Sequence, residues 1–222
     1  MNNLVSEILF GFTGLLAIIN PLGMAFVFFD RTESLNDADR ARLARRVAFN
    51  ALILLLVTFF IGTRILHFFG ISMAALRIGG GLTVTVSGWQ MLNAPDVPRE
   101  VAVQGEPVTV SRPMAQAFFP LTMPLTIGPG TLATAIALNT RYSQALTDAA
   151  LTGLIALLVT TLVAAVIWLL FGRAAWLARH LGAEGTRIAE RLSAFLLLCI
   201  GVQIMLTGLS EFLQPMIQPA TG

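Results

Sequence analysis

Six stretches of this chain run for 17 residues or more without a charged side chain: 8–29, 47–63, 78–95, 113–140, 149–172 and 192–210. A helix rises about 1.5 Å per residue, so each stretch spans or nearly spans a hydrocarbon core of roughly 30 Å. Inside hydrocarbon the backbone must satisfy its own hydrogen bonds, which at these lengths means helices. The expectation is an all-α integral membrane protein with six transmembrane helices at 4–29, 47–69, 71–92, 117–140, 149–171 and 190–212. Composition agrees, with 12% charged residues against roughly 25% in soluble domains.

Two of the six stretches contain the residues worst suited to a helix. "INPLG" (19–23) interrupts the first and "TIGPGT" (126–131) the fourth. Proline removes a backbone donor and clashes with the carbonyl one turn back, and glycine costs about 1 kcal/mol in a helix interior. Both helices are therefore expected to break at membrane depth. Groups freed by a break cannot face lipid and must face protein or a water-filled cavity. Half-helix ends offer free N–H groups with a positive dipole at one terminus and free carbonyls at the other, a pairing suited to a small zwitterion. Asn20, Pro21, Gly23, Thr126, Gly128, Pro129, Gly130 and Thr131 are the candidate substrate-binding residues, the asparagine amide and threonine hydroxyls adding side-chain hydrogen bonds.

The two interruptions also point to a repeat. Pro129 follows Pro21 by 108 positions, while Gly201 follows Gly88, and Gln203 follows Gln90, by 113. A longer connection between the fifth and sixth helices absorbs the change of offset. A single membrane domain, 1–222, is expected, with one repeat over about 1–92, a proline-rich linker over about 93–116 and a second repeat over about 117–213. Three helices per repeat is an odd number, so the halves enter the membrane in opposite senses, an architecture of secondary transporters with midplane sites. The alternation in "VAVQGEPVTV" of the linker allows a small hairpin, though a surface connector is the simpler reading.

All 14 positive side chains are arginine, and 11 of them lie in three alternate connections: 31, 40, 42, 45 and 46; 99 and 112; 173, 179, 187 and 191. The positive-inside rule makes those connections cytoplasmic and leaves both termini outside. The net charge of +2 follows from this asymmetry and calls for no nucleic-acid partner. Cys199 is the only cysteine and is expected as a small buried apolar residue, which rules out a disulfide framework and a cysteine metal site. The two histidines, His67 and His180, fall on opposite sides, away from a credible acid or nucleophile, so neither an enzyme nor a bound metal or cofactor is expected. His67 reads as an interfacial residue near a helix end.

Four segments carry a family resemblance: "IINPLGMAFVFF", "FGISMAALRIGGGL" (69–82), "PLTMPLTIGPGTLAT" (120–134) and "RIAERL" before the last helix. They resemble the MarC family of inner-membrane proteins over about 15–213. Asn20, Pro21, Gly23, Gly128, Pro129 and Gly130 match its signature segments. The resemblance implies six helices in two related halves, and some members of the family are described as transporters of small neutral amino acids. Here "PLTMPL" and "GPGTL" stand where the family pattern more often has "PLAIPL" and "GPGAI", a difference that bears on the substrate.

The functional expectation is a secondary transporter, exporter or exchanger, of small neutral amino acids or similar small polar metabolites. The alternative is a membrane scaffold or sensor whose helix breaks serve only packing. Arg77, Gln90 and Gln203 are candidates for a pathway or coupling role, since polar groups at membrane depth are functional hypotheses by default. Arg77 can equally snorkel to the headgroups. Gly79, Gly80, Gly81 and Gly88 are expected to let their helix approach a neighbour closely. The partners expected are a small-molecule substrate, the lipid bilayer and a homo-oligomeric copy.

Overall fold

The computed structural model describes residues 2–93, 117–145 and 149–217, so the linker expectation, including its hairpin, lies almost wholly outside the described residues. The elements are α1 (Asn2–Ile19), α2 (Pro21–Arg31), α3 (Asp37–Phe68), α4 (Met73–Leu92), a π-helical segment (Phe118–Thr126), α5 (Pro129–Ala145), α6 (Ala149–Gly172) and α7 (Ala174–Ile217). Among the described residues there is no strand.

Four helical spans are long and apolar enough to cross a membrane: Leu4–Phe29, Asp37–Phe68, Ala149–Gly172 and Arg187–Gln214. These coincide with four of the six expected passages. The other two exist as helix but are less apolar or less continuous. α4 carries glycine, threonine and glutamine where a typical span has leucine, and α5 has only 17 residues because the π segment precedes it across a break. Phe10, Ile53, Val57, Phe60, Leu158 and Phe195 are among many large apolar side chains on the outer surface, as expected where lipid rather than water surrounds the protein.

Two helices are longer than the charge-free runs. α3 begins at Asp37 rather than 47, because Asn36 caps it by accepting from Asp39 N–H at 2.8 Å and because a buried arginine organises the turn before it. The Arg40 guanidinium donates to Thr32 Oγ1 at 3.2 Å, to the carbonyls of Thr32 and Leu35 at 2.9 Å each, and to Asp37 Oδ1 at 2.7 Å. It also lies 5.1 Å above the Phe29 ring. α7 runs well before the expected 190, and Gly182, at φ 67° and ψ 179°, kinks it into two arms. Charge marks where a helix meets headgroups and not where it stops, which is why both starts came earlier than hydropathy placed them.

One core is shared by α1, α2, α3, α5, α6 and the first arm of α7. It is built on Leu15, Phe28, Val47, Leu55, Phe59, Ile155, Val163, Ile167 and Phe171, with Phe28 stacked on Phe171 at 4.7 Å. Glu7 and Arg141 pair through two hydrogen bonds of 2.9 and 3.0 Å, joining α1 to α5, while Tyr142 donates to the Glu7 carbonyl at 3.0 Å.

α4 and the second arm of α7 form a separate antiparallel pair that meets through glycine. Measured from where a β-carbon would stand, Gly81 faces the Gly201 carbonyl at 2.7 Å, and Gly88 faces Leu198 N at 2.6 Å. Gly208 faces the Ala74 carbonyl at 2.9 Å. Lipid tails are as apolar as leucine, so close backbone approach rather than hydrophobic burial holds such helices together. Gly80, Gly81 and Gly88 make the close approaches expected of them; Gly79 does not, and faces open space.

Candidate functional site

Both expected breaks are present. At the first, Asn20 alone separates α1 from α2 and adopts φ +45°, a left-handed conformation that asparagine tolerates better than most residues. Its N–H still reaches the Leu16 carbonyl and its carbonyl accepts from Met24 N–H, each at 2.9 Å. Pro21 has no N–H to give the Ala17 carbonyl one turn back. The Asn20 Oδ1 accepts weakly from Gly23 N–H at 3.4 Å, in the manner of an N-cap. Its Nδ2 is buried with no hydrogen-bond partner, the one such side-chain atom among the described residues. An unpaired buried amide donor costs about 1–3 kcal/mol, so the position favours an acceptor.

Gly23, lacking a side chain, lets α7 approach closely beside that amide. A β-carbon there would stand 2.7 Å from Asn20 Nδ2, 2.8 Å from Ser193 Cβ and 3.1 Å from Ser193 Oγ. Ser193 belongs to α7 and is buried. It is a candidate site residue that the motifs did not name. The signal was present nonetheless, because Ser193 follows Gly80 by the same 113 positions that relate Gly88 to Gly201.

The second break is built differently. The π segment includes two residues off helical angles, Phe119 and Met123, and ends at Ile127 with φ −110° and ψ 90°. α5 then starts at Pro129, with the Gly128 carbonyl accepting from Thr131 and Leu132 N–H at 3.0 and 3.1 Å. Thr122 donates to the Ala117 carbonyl at 2.6 Å and Thr126 to the Leu121 carbonyl at 2.7 Å, each reaching five residues back. The Thr126 hydroxyl is thus committed to its own backbone. Thr131 is buried, and its hydroxyl makes no hydrogen bond among the described residues. Gly130 packs on α4: its β-carbon would overlap the Val84 side chain and stand 3.2 Å from the Gly80 carbonyl.

The two breaks therefore each lean on the α4–α7 pair, the first on α7 at Ser193 and the second on α4 at Gly80 and Val84. The apolar contact between them is a small cluster of Ile18, Val84 and Leu197. Arg77 pairs with Glu211 across the same two helices, half-buried near the end of the pair. Gln90 and Gln203 are exposed on the outer surface. Cys199 is also exposed, correcting the expectation of a buried residue: on α7 the glycine face is turned inward and the cysteine lies on the face turned to lipid.

A family model described as MarC family integral membrane protein matches residues 5–213. The inner membrane proteins MarC of Escherichia coli and of Shigella flexneri are each 32% identical over 219 residues, covering 96% of this chain and 99% of the relative. No solved structure matches the chain.

Proposed function

The chain belongs to the MarC family of integral membrane proteins and is a multi-pass inner-membrane protein, and from that premise we propose that it is a secondary transporter of small neutral amino acids or similar small polar metabolites. The observation that carries the reading is the buried Asn20 Nδ2, a donor without an acceptor at a helix break beside Gly23 and Ser193. A substrate carboxylate or carbonyl would complete it. The N-terminal end of α2 would favour the negative charge, and the Ala17 carbonyl, to which Pro21 has no N–H to give, would suit an ammonium. Gly128, Pro129, Gly130 and Thr131 form the opposing wall in this reading, Thr126 shaping it from behind rather than touching substrate. Arg77, paired with Glu211, stabilises the α4–α7 contact, and Gln90 and Gln203 lie outside the binding site.

Two inverted three-helix halves are part of the same proposal, supported by a crossed contact. Break one touches Ser193 and its flank meets Leu197; break two touches Gly80 and Val84. Ser193 follows Gly80, and Leu197 follows Val84, by 113 positions each, as Pro129 follows Pro21 by 108. Each half thus clasps the break of the other at equivalent positions, the pattern expected of a two-fold axis in the membrane plane. Uptake of a radiolabelled amino-acid panel into proteoliposomes tests the activity. Uptake no faster than in protein-free vesicles, across the panel and in both directions, would remove transport from the reading and leave a packing scaffold.

Both termini face the periplasm in this proposal. In a Cys199→Ser background, Ser143→Cys should react with an impermeant thiol reagent in intact cells and Ser34→Cys should not. The opposite labelling would invert the orientation while leaving the crossed contact intact.

A further inference from the structure

Arg42, Arg45, Arg46 and Phe49 line a recess of about 280 Å³ at the head of α3. Arg42 is partly engaged by Asp39 at 3.3 Å. The Arg45 and Arg46 side chains are exposed and make no ion pair or hydrogen bond among the described residues. The position of the recess decides what it can hold. The charge-free run begins at Val47, so the arginines stand at headgroup level and Phe49, 53% exposed, at the top of the hydrocarbon. Below it Ile53, Val57 and Phe60 are exposed on the same face, and the intervals from Arg42 through 46, 49, 53, 57 and 60 are three or four residues throughout, a single helical stripe. α3 is continuous over this length, so the cationic recess and the apolar stripe form one rigid surface.

We infer that this surface is a binding site for one anionic phospholipid, its phosphate held by Arg45 and Arg46 with Arg42 at the side, and an acyl chain laid along Phe49, Ile53, Val57 and Phe60. Guanidinium groups match phosphate oxygens in fork geometry, and basic recesses beside membrane helices take anionic headgroups. The apolar stripe running directly from the arginines distinguishes a lipid from free phosphate, which would need the recess and not the stripe.

The test is native mass spectrometry of the full chain, delipidated in detergent and titrated with phosphatidylglycerol. One lipid should be retained per chain, and Arg45→Gln/Arg46→Gln should weaken it at least tenfold. Phosphatidylcholine should bind far more weakly, and added salt should weaken the anionic lipid. Inorganic phosphate or glycerol phosphate at millimolar concentration should not displace it; displacement would overturn the lipid assignment in favour of a soluble phosphate ligand. Equal retention of the two lipids, or of phosphatidylglycerol by parent and variant, would overturn the site altogether. Arg45→Lys/Arg46→Lys guards against misfolding of the glutamine variant: it keeps the charge but loses the fork, so it should fold like the parent and bind with intermediate affinity. Lysine-variant affinity equal to the parent's would reduce the site to general surface charge and overturn it.

Discussion

The two helix breaks solve the same problem with opposite economies of polar groups. At Asn20 the backbone stays almost fully bonded and a side-chain donor is left over; at 117–128 the backbone is more disturbed and the side chains are consumed in repairing it. The first break spends one left-handed residue, the second a π-helical segment with two residues off helical angles. The difference teaches where binding capacity is to be sought. Proline and glycine announce that a helix opens, but only the count of groups remaining after local repair tells whether the opening has anything to offer a ligand. By that count Asn20, with Gly23 and Ser193 beside it, is the recognising side of the proposed site, while 128–131 offers the Thr131 hydroxyl and is otherwise its wall.

That asymmetry can be broken by experiment. The largest effect is expected for Gly130→Val, which forces β- and γ-carbons into Val84. Overpacking of this kind costs roughly 1–3 kcal/mol, seen as a lower midpoint of thermal unfolding in detergent, with transport lost alongside. An unchanged midpoint would mean that the second break does not lean on α4. Gly23→Ala comes next. The added methyl stands between Asn20 Nδ2 and Ser193, and uptake should fall at least tenfold while helix content by circular dichroism is kept; full uptake would move the substrate elsewhere.

Asn20→Gly separates the two jobs of that residue. Glycine accepts the left-handed angle without penalty and removes the unpaired donor, so the substrate-free protein should be at least as stable as the parent. Substrate affinity should weaken by the worth of a hydrogen bond, about 0.5–1.5 kcal/mol or roughly two- to tenfold. Unchanged affinity would show that the orphan donor is not used. Smallest in function is Thr126→Val, which removes the bond to the Leu121 carbonyl. Stability should drop by about 0.5–1.5 kcal/mol with substrate affinity unmoved. A drop in affinity at constant stability would instead put the hydroxyl in the site and erase the contrast between the breaks.

Much of this was legible in the residues because membrane helices and their interruptions are governed by local chemistry. A charge-free run and a proline with flanking glycine act where they stand, so four spans and both breaks appear where the sequence placed them. What was not legible depends on partners distant along the chain. Ser193 matters because Gly23 packs on it, a contact 170 positions away. Thr126 looked like a ligand because hydroxyls are polar, yet in a π-helical turn its oxygen lies within reach of a carbonyl five residues back. Cys199 is expected inside on a rule drawn from proteins in water, and it is exposed on a helix of an integral membrane protein.

The glycine contact between α4 and α7 carries a consequence for how such a protein can change over generations. Gly81, Gly88, Gly201 and Gly208 each have a neighbouring backbone atom where a β-carbon would go, so the smallest substitution available, a single methyl, is already excluded at all four. Gly14, Gly79 and Gly172 have nothing within 4 Å and are free to vary. A saturation library selected for folded protein should be silent at the first set and permissive at the second. The helices on which both breaks rest would then be the part of the molecule least open to drift, held in place by atoms that are not there.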